Sequence, residues 1–201
     1  MAKAMSSQNR VTPSAEGIAA SAKAAGKHRG LPPVEKWDPP FCGDLDMKIA
    51  RDGTWFYLGT PIGRRGLVKL FSSILKKEGE DYFLVTPVEK VGIQVEDAPF
   101  VAVDFEVHSP GPDQVLTFLT HVDDRASAGP AHPIRVERDP ETGEPAPYVL
   151  IRRNLEALID RKSFYRLVDL GHTGPHDGQE WFGVRSGGEF FPIIPASELP
   201  E

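Results

Sequence analysis

"GRRGLVKLF", residues 63–71, and "IRRNLEALI", residues 151–159, say nearly the same thing 88 residues apart, Arg64 against Arg152. Each places an Arg-Arg pair ahead of apolar residues spaced along one face of a helix. The first copy predicts a helix from about Arg64 to Glu78. Leu67, Leu70, Phe71, Ile74 and Leu75 recur there at i, i+3, i+4, i+7 and i+8, and Gly79 stands where a C-terminal cap belongs. The second predicts a helix from about Arg152, with Leu155, Leu158 and Ile159 at the spacing of Leu67, Leu70 and Phe71.

The likeness extends outward. "IARD" at 49–52 and "VERD" at 136–139 each precede a turn, and each turn leads through a strand to an Arg pair. Three matched features in one order predict an internal duplication. The expected fold is therefore α+β, two tandem related repeats of hairpin, helix and strands. The boundaries read as an N-terminal arm over 1–40, a first repeat over 41–125 and a second over 126–201.

Strands account for most of the rest. Asp52-Gly53 divides "MKIA" from "TWFYLG" as a two-residue hairpin turn, which asks for positive φ at both positions. "DYFLVT" at 81–86 and "VLTFLTHV" at 115–122 read as strands. "KVGIQV" at 90–95 and "FVAVDFEV" at 100–107 alternate apolar and polar with period two, the pattern of a sheet with one buried face. "IRVERD" and "APYVLI" pair around "PETGEP". "EWFGVRS" and "EFFPII" form a closing hairpin at Gly187-Gly188. "DDRASAGPAHP" at 123–133 and "GHTGPHDGQ" at 171–179 read as loops. In the arm, an Ala-rich stretch predicts a short helix capped near Ser14, with Glu16 in its first turn. "LPPVEKWDPP" at 31–40 should run extended. The arm is either a tail or a segment packed on the body or on a partner subunit, which makes a homo-oligomer a candidate assembly.

A net charge of −6 excludes a broad electrostatic surface for a nucleic acid polymer. No run of residues is long and apolar enough to span a membrane. The single cysteine, Cys42, allows no intrachain disulfide, so a cytoplasmic protein is expected.

Few residues point to chemistry. Arg64-Arg65 and Arg152-Arg153 would stand at helix N-termini, where cations oppose the dipole at a cost of roughly 0.3–1 kcal/mol each. Either carboxylate partners such as Asp52 or Glu137 offset that cost, or a bound anion does, since helix starts and guanidinium forks both suit phosphate. Lys90, on the polar side of its strand, is a candidate for the same anion. Glu96 and Asp97, at that strand's end, are candidate acceptors for a ribose or base edge, and the alternative is a charged edge strand in solvent. Trp37 has no periodic reason to be buried and is a candidate stacking platform. Asp44, Glu96 and Asp97 are the candidate general bases if the protein is an enzyme. His172 and His176 lie in a non-helical segment, so no metal site follows, and no motif implies a cofactor.

"WDPPFCGDLDMKIARDGTWFYLGTPIGRRGLVKLF", "LVTPVEKVGIQVEDAPFVAV" and "HPIRVERD…APYVLIRRNLEALIDRKSFYRLV" together resemble the bacterial domain-of-unknown-function family 1285, over roughly Trp37 to Ile194. "TPVEK" followed by "EDAPF" is the most distinctive part. The resemblance implies a duplicated α+β fold whose C-terminal half is pleckstrin-homology-like. It also implies a small anionic, nucleotide-like ligand held between the halves and a role in signal transduction. It supplies no catalytic residues. The function expected is thus that of a ligand-binding regulatory protein, with an enzyme acting on a nucleotide-like substrate, a hydrolase or transferase, or a structural interaction module as the alternatives.

Overall fold

The computed structural model describes residues 12–26 and 30–199. Residues 1–11 and 27–29 of the expected arm lie outside the described residues. The order of elements is α1 (Ala15–Ala24), β1 (Phe41–Ile49), β2 (Trp55–Tyr57), β3 (Thr60–Pro61), α2 (Arg65–Ser73), β4 (Leu75–Glu78), β5 (Asp81–Val85), β6 (Lys90–Val95), β7 (Phe100–His108), β8 (Val115–Thr120), β9 (Arg125–Ser127), β10 (Ile134–Arg138), β11 (Pro145–Arg152), β12 (Leu155–Ile159), α3 (Arg161–Asp169), β13 (His172–His176), β14 (Gln179–Ser186) and β15 (Glu189–Pro195). The fold is mixed α+β and mostly strands. None of the described helices is long and apolar enough to cross a membrane.

The chain divides into two compact units, Met1–Met47 with Tyr57–Gln94, and Lys48–Phe56 with Val95–Glu201. One six-stranded sheet has the order β3-β2-β1-β6-β5-β4. A second has the order β10-β11-β12-β7-β8-β9, and β13-β14-β15 form a third, smaller sheet. Read from its other edge and renumbered from its own first strand, the second sheet repeats the order of the first, 3-2-1-6-5-4. In both, the central pair joins the first strand to the sixth. β7 and β12 pair in parallel. Lys90 N–H donates to Pro40 O at 3.1 Å and Glu96 N–H to Ile49 O at 3.0 Å, so β1 and β6 also run in parallel. Two three-stranded meanders are thus sutured through one parallel pair, twice.

The tandem halves are real, but the Arg pairs do not mark equivalent places in them. Arg64-Arg65 lie between the third and fourth strands of the first set. Arg152 ends the fifth strand of the second, β11, and Arg153, at φ +53°, opens the turn to the sixth, β12. The helix expected from Arg152 is instead β12. "LEALI" satisfies a period of two as well as a helical one, and Leu155, Ala157 and Ile159 alternate into the core. The helix of this half is α3, one element later. Asp160 caps it by accepting from Ser163 N–H at 2.7 Å. Arg166 ties it to β7, pairing with Asp104 and donating to Phe105 O at 3.0 Å.

The first helix is also shorter than its apolar stripe. α2 ends at Ser73 because Leu75–Glu78 pair with β5, Leu75 opposite Leu84 and Glu78 opposite Asp81. Gly79, at φ +62°, serves that hairpin rather than a helix cap. Pairing to a neighbouring strand outweighs a helical propensity worth tenths of a kcal/mol per residue.

Smaller differences follow similar causes. Ala50 bonds Thr54 and Gly53 in a turn where Gly53 alone, at φ +86°, is left-handed. That is the three-residue loop with a glycine bulge rather than a two-residue one. Part of the expected loop at 123–133 pairs as β9. "HTGPH" forms β13, an edge strand, where proline is tolerated because one side needs no donor. Val34–Lys36 make one short 3-10 turn in the proline-rich stretch. The Ala-rich helix forms as expected, with Ser14 Oγ accepting from Gly17 N–H at 3.1 Å.

Candidate functional site

Strands β1, β5 and β6 build a cavity of about 370 Å³ on the first unit. Phe41 opens β1 and stays 54% exposed, so its ring is offered to solvent rather than to the core. It meets Phe83 of β5 edge to face, with centroids 6.1 Å apart. Tyr82, Asp81 and Ile93 complete the wall. The floor is Gly92, which breaks the alternation of β6. A Cβ there would run into Asp44 Oδ1, so the missing side chain is what lets the Asp44 carboxylate lie over the strand. Lys90 enters the same cavity with its ammonium 4.8 Å from the centre of the Phe83 ring and 2.9 Å from Glu78 Oε2. Lys76 takes the other oxygen of Glu78 at 3.0 Å. The hydrogen bonds from Lys90 and then Lys76 hold the Glu78 carboxyl below its usual range.

Two residues chosen from the sequence, Asp44 and Lys90, therefore share one aromatic-walled cavity. Sequence reasoning missed Phe41, Asp81, Tyr82, Phe83 and Gly92. The exposed aromatic at the head of β1 and the glycine in an otherwise regular alternation were the available signals.

Glu96 and Asp97 line a different cavity, of about 400 Å³, on the second unit, beside Arg51, Glu137, Arg138, Asp139, Glu144 and Tyr148. Both are committed to the fold. Glu96 accepts from Lys48 at 2.5 Å and from Arg51 N–H at 3.0 Å, and these bonds, Lys48 first, lower its pKa. Asp97 accepts from Tyr148 OH at 2.7 Å and faces Arg51 Nε at 3.1 Å. Burial foremost, then that bond to Asp97, pushes the Tyr148 phenol far above its usual range. The "TPVEK" segment is likewise structural at its head. Thr86, fully buried, takes the N–H groups of Val88 and Glu89 on its Oγ1, and Glu89 accepts from Ser21 of α1 at 2.6 Å.

The Arg pairs separate. Arg64 is exposed at the start of α2 and makes no side-chain capping bond. Arg65 beside it is exposed as well. Arg152, with 10% of its side chain exposed, pairs with Asp124 and lies 4.7 Å from the centre of the Phe100 ring. Burial lowers its pKa, against the opposing pull of Asp124. Trp37 is half-buried and closes the 3-10 turn through its N–H to Val34 O at 3.2 Å. Among the described residues no group of three or more His, Cys, Asp or Glu is placed to hold a metal ion.

Residues 32–98 match the N-terminal domain of unknown function DUF1285, and residues 99–193 match the C-terminal domain of the protein of unknown function DUF1285. The chain belongs to the DUF1285 family. A crystal structure of a DUF1285 family protein from Silicibacter pomeroyi DSS-3 is 63% identical, with 90% of this chain and 97% of that chain covered, at a TM-score of 0.82. A second, from Shewanella baltica OS155, is 33% identical over 62% of this chain and 91% of that chain, at a TM-score of 0.49. No curated protein matches the chain.

Proposed function

We propose that the protein is a small-molecule-binding regulatory protein, and that the first unit's cavity takes a flat, nitrogen-bearing ring of the kind a nucleotide carries. The observation that carries this is the meeting of Asp44 and Lys90 in one cavity walled by Phe41, Tyr82 and Phe83. Aromatic faces hold a planar ring, a carboxylate accepts from ring N–H donors, and an ammonium donates to a ring acceptor. The charge balance favours the ring over a phosphate. Lys90 is already paired with Glu78, and Asp44 and Asp81 are carboxylates. A phosphate tail would extend away from these groups. The signalling role, the pleckstrin-homology likeness of the C-terminal half and a homo-oligomer belong to the same proposal. Apart from the parallel β7–β12 pair, the strands of residues 95–201 pair antiparallel and are accompanied by one α-helix, which supports that likeness.

The test is a thermal-shift series with free nucleobases, nucleosides and nucleotides. A ligand at about 100 times its Kd adds roughly 2.7 kcal/mol, or a rise on the order of 5–10 °C for a chain of this size. Gly92→Ala should abolish the shift, because the new Cβ evicts the Asp44 carboxylate. A ligand that shifts the wild type and Gly92→Ala equally would place binding elsewhere, and a flat series would overturn the ring-binding function.

A further inference from the structure

Among the described residues, cavities with carboxylates in their walls include one with Asp44 and Asp81, a second with Glu96 and its acidic neighbours, and a third with Glu144 beside Arg161 and Tyr165. A fourth, of about 430 Å³ on the second unit, carries none. Its walls are Gly111 and Pro112 of the β7–β8 connection, Gln114, Leu170 at the end of α3, His172 of β13 and Arg185 of β14. Arg185 and His172 are both exposed, and the cavity they border brings the two cationic or donor side chains together with no acid in its wall.

Arg185 is held from several sides without being neutralised. Its Nε–H donates to His172 Nε2 at 3.1 Å. Its guanidinium carbon lies 5.7 Å from the centre of the Phe190 ring, and His172 meets the same ring edge to face at 5.6 Å. Its backbone carbonyl accepts from Gln114 Nε2 at 2.6 Å. The neighbouring backbone is fixed by Gly187 N–H to Gln114 O at 3.0 Å and by Leu116 N–H to the fully buried Ser186 Oγ at 2.9 Å. These bonds occupy Nε and leave both terminal nitrogens of the fork without a partner among the described residues. Because His172 Nε2 accepts from Arg185, the imidazole proton sits on Nδ1, which is a further donor.

We propose that this cavity binds a small oxyanion, a phosphate or carboxylate group taken by the terminal nitrogens of Arg185 with the His172 ring beside it. A guanidinium fork matches two oxygens of either group with parallel N–H bonds, and a fork already positioned loses little freedom on binding. The carbonyl end of α3 at Leu170 disfavours an anion, but two of its carbonyls are occupied, Leu167 O by Leu170 N–H at 3.1 Å and Val168 O by Gly171 N–H at 2.8 Å. The site stands apart from the ring-binding function proposed for the first unit, and neither depends on the other.

The experiment titrates inorganic phosphate, and separately acetate, into the whole protein at constant ionic strength. It follows the Arg185 Nε–H and the His172 ring by NMR. Saturable shifts at both residues are expected. Arg185→Gln should weaken binding roughly tenfold or more, the loss of charge-assisted bonds to the anion. Saturation with phosphate alone assigns a phosphate group, and with acetate alone a carboxylate. Shifts that stay linear with both probes overturn the site. So does an Arg185→Gln variant that lowers Tm yet binds as the wild type does, since Arg185 would then be only a cation at the end of α3. If Arg185→Gln fails to fold, Arg185→Lys decides: it keeps the charge but lacks the fork, and undiminished affinity there overturns the proposal.

Discussion

Arg64 and Arg152 stand second in two similar nonapeptides and live in opposite surroundings. Arg64 is exposed at a helix start, with no ion partner among the described residues. Arg152 is buried in a hairpin, paired with Asp124 and stacked over Phe100. Identical letters were given different work because the strands around them differ in place. One pair follows a third strand, and the other separates a fifth from a sixth. Local likeness between two stretches of one chain therefore says less about duplication than the order in which strands join a sheet.

The contrast is open to attack by mutation. Arg152→Ala should cost about 3 kcal/mol in urea unfolding, because it strands Asp124 and uncovers the Phe100 ring. Tyr148→Phe should cost about 1–2 kcal/mol, because Asp97, mostly buried, loses its hydroxyl donor while keeping Arg51. A smaller effect belongs to Glu78. Its folded pKa lies below its unfolded value, so the stability it supplies is full above about pH 4.3 and fades as pH falls through the folded pKa. Glu78→Gln should flatten that acid limb, by less than about 1 kcal/mol given its exposure. Arg64→Ala should stay within about 0.5 kcal/mol of the wild type. If it costs as much as Arg152→Ala, the two arginines are not different in kind.

The strands were the legible part of the chain. The strands β6 and β7 and the Gly187-Gly188 turn, both glycines at positive φ, read directly from residue order, but the single buried face expected of β6 and β7 did not, because Val91–Ile93 and Phe100–Ala102 are each buried on both faces. The helices were less so. In "LVKLFSSILKKE" the apolar stripe runs on past Ser73, and nothing local tells that Leu75 will find Leu84. In "LEALI" two periods fit the same letters, and the Asp160 cap that opens α3 was the available arbiter. Of the site, Asp44 was picked out as a carboxylate and Lys90 as a cation on the polar side of its strand. Their aromatic company was not, because it comes from strands distant in sequence. Glu96 and Asp97 were picked for the same reason as Lys90 and proved to be occupied by Lys48, Arg51 and Tyr148.

The parallel suture has a consequence for how the protein is born. In each six-stranded sheet the strand made first must wait for the strand made last, while the two meanders on either side can assemble from neighbours as they leave the ribosome. Closing that gap brings together ends far apart along the chain, the kind of step that slows folding. Until β6 emerges, β1 presents an unpaired side, and β7 does so until β12 arrives. Synthesis thus passes through two intervals in which an open strand is exposed to other chains, and the second closes only when Leu155–Ile159 have been made.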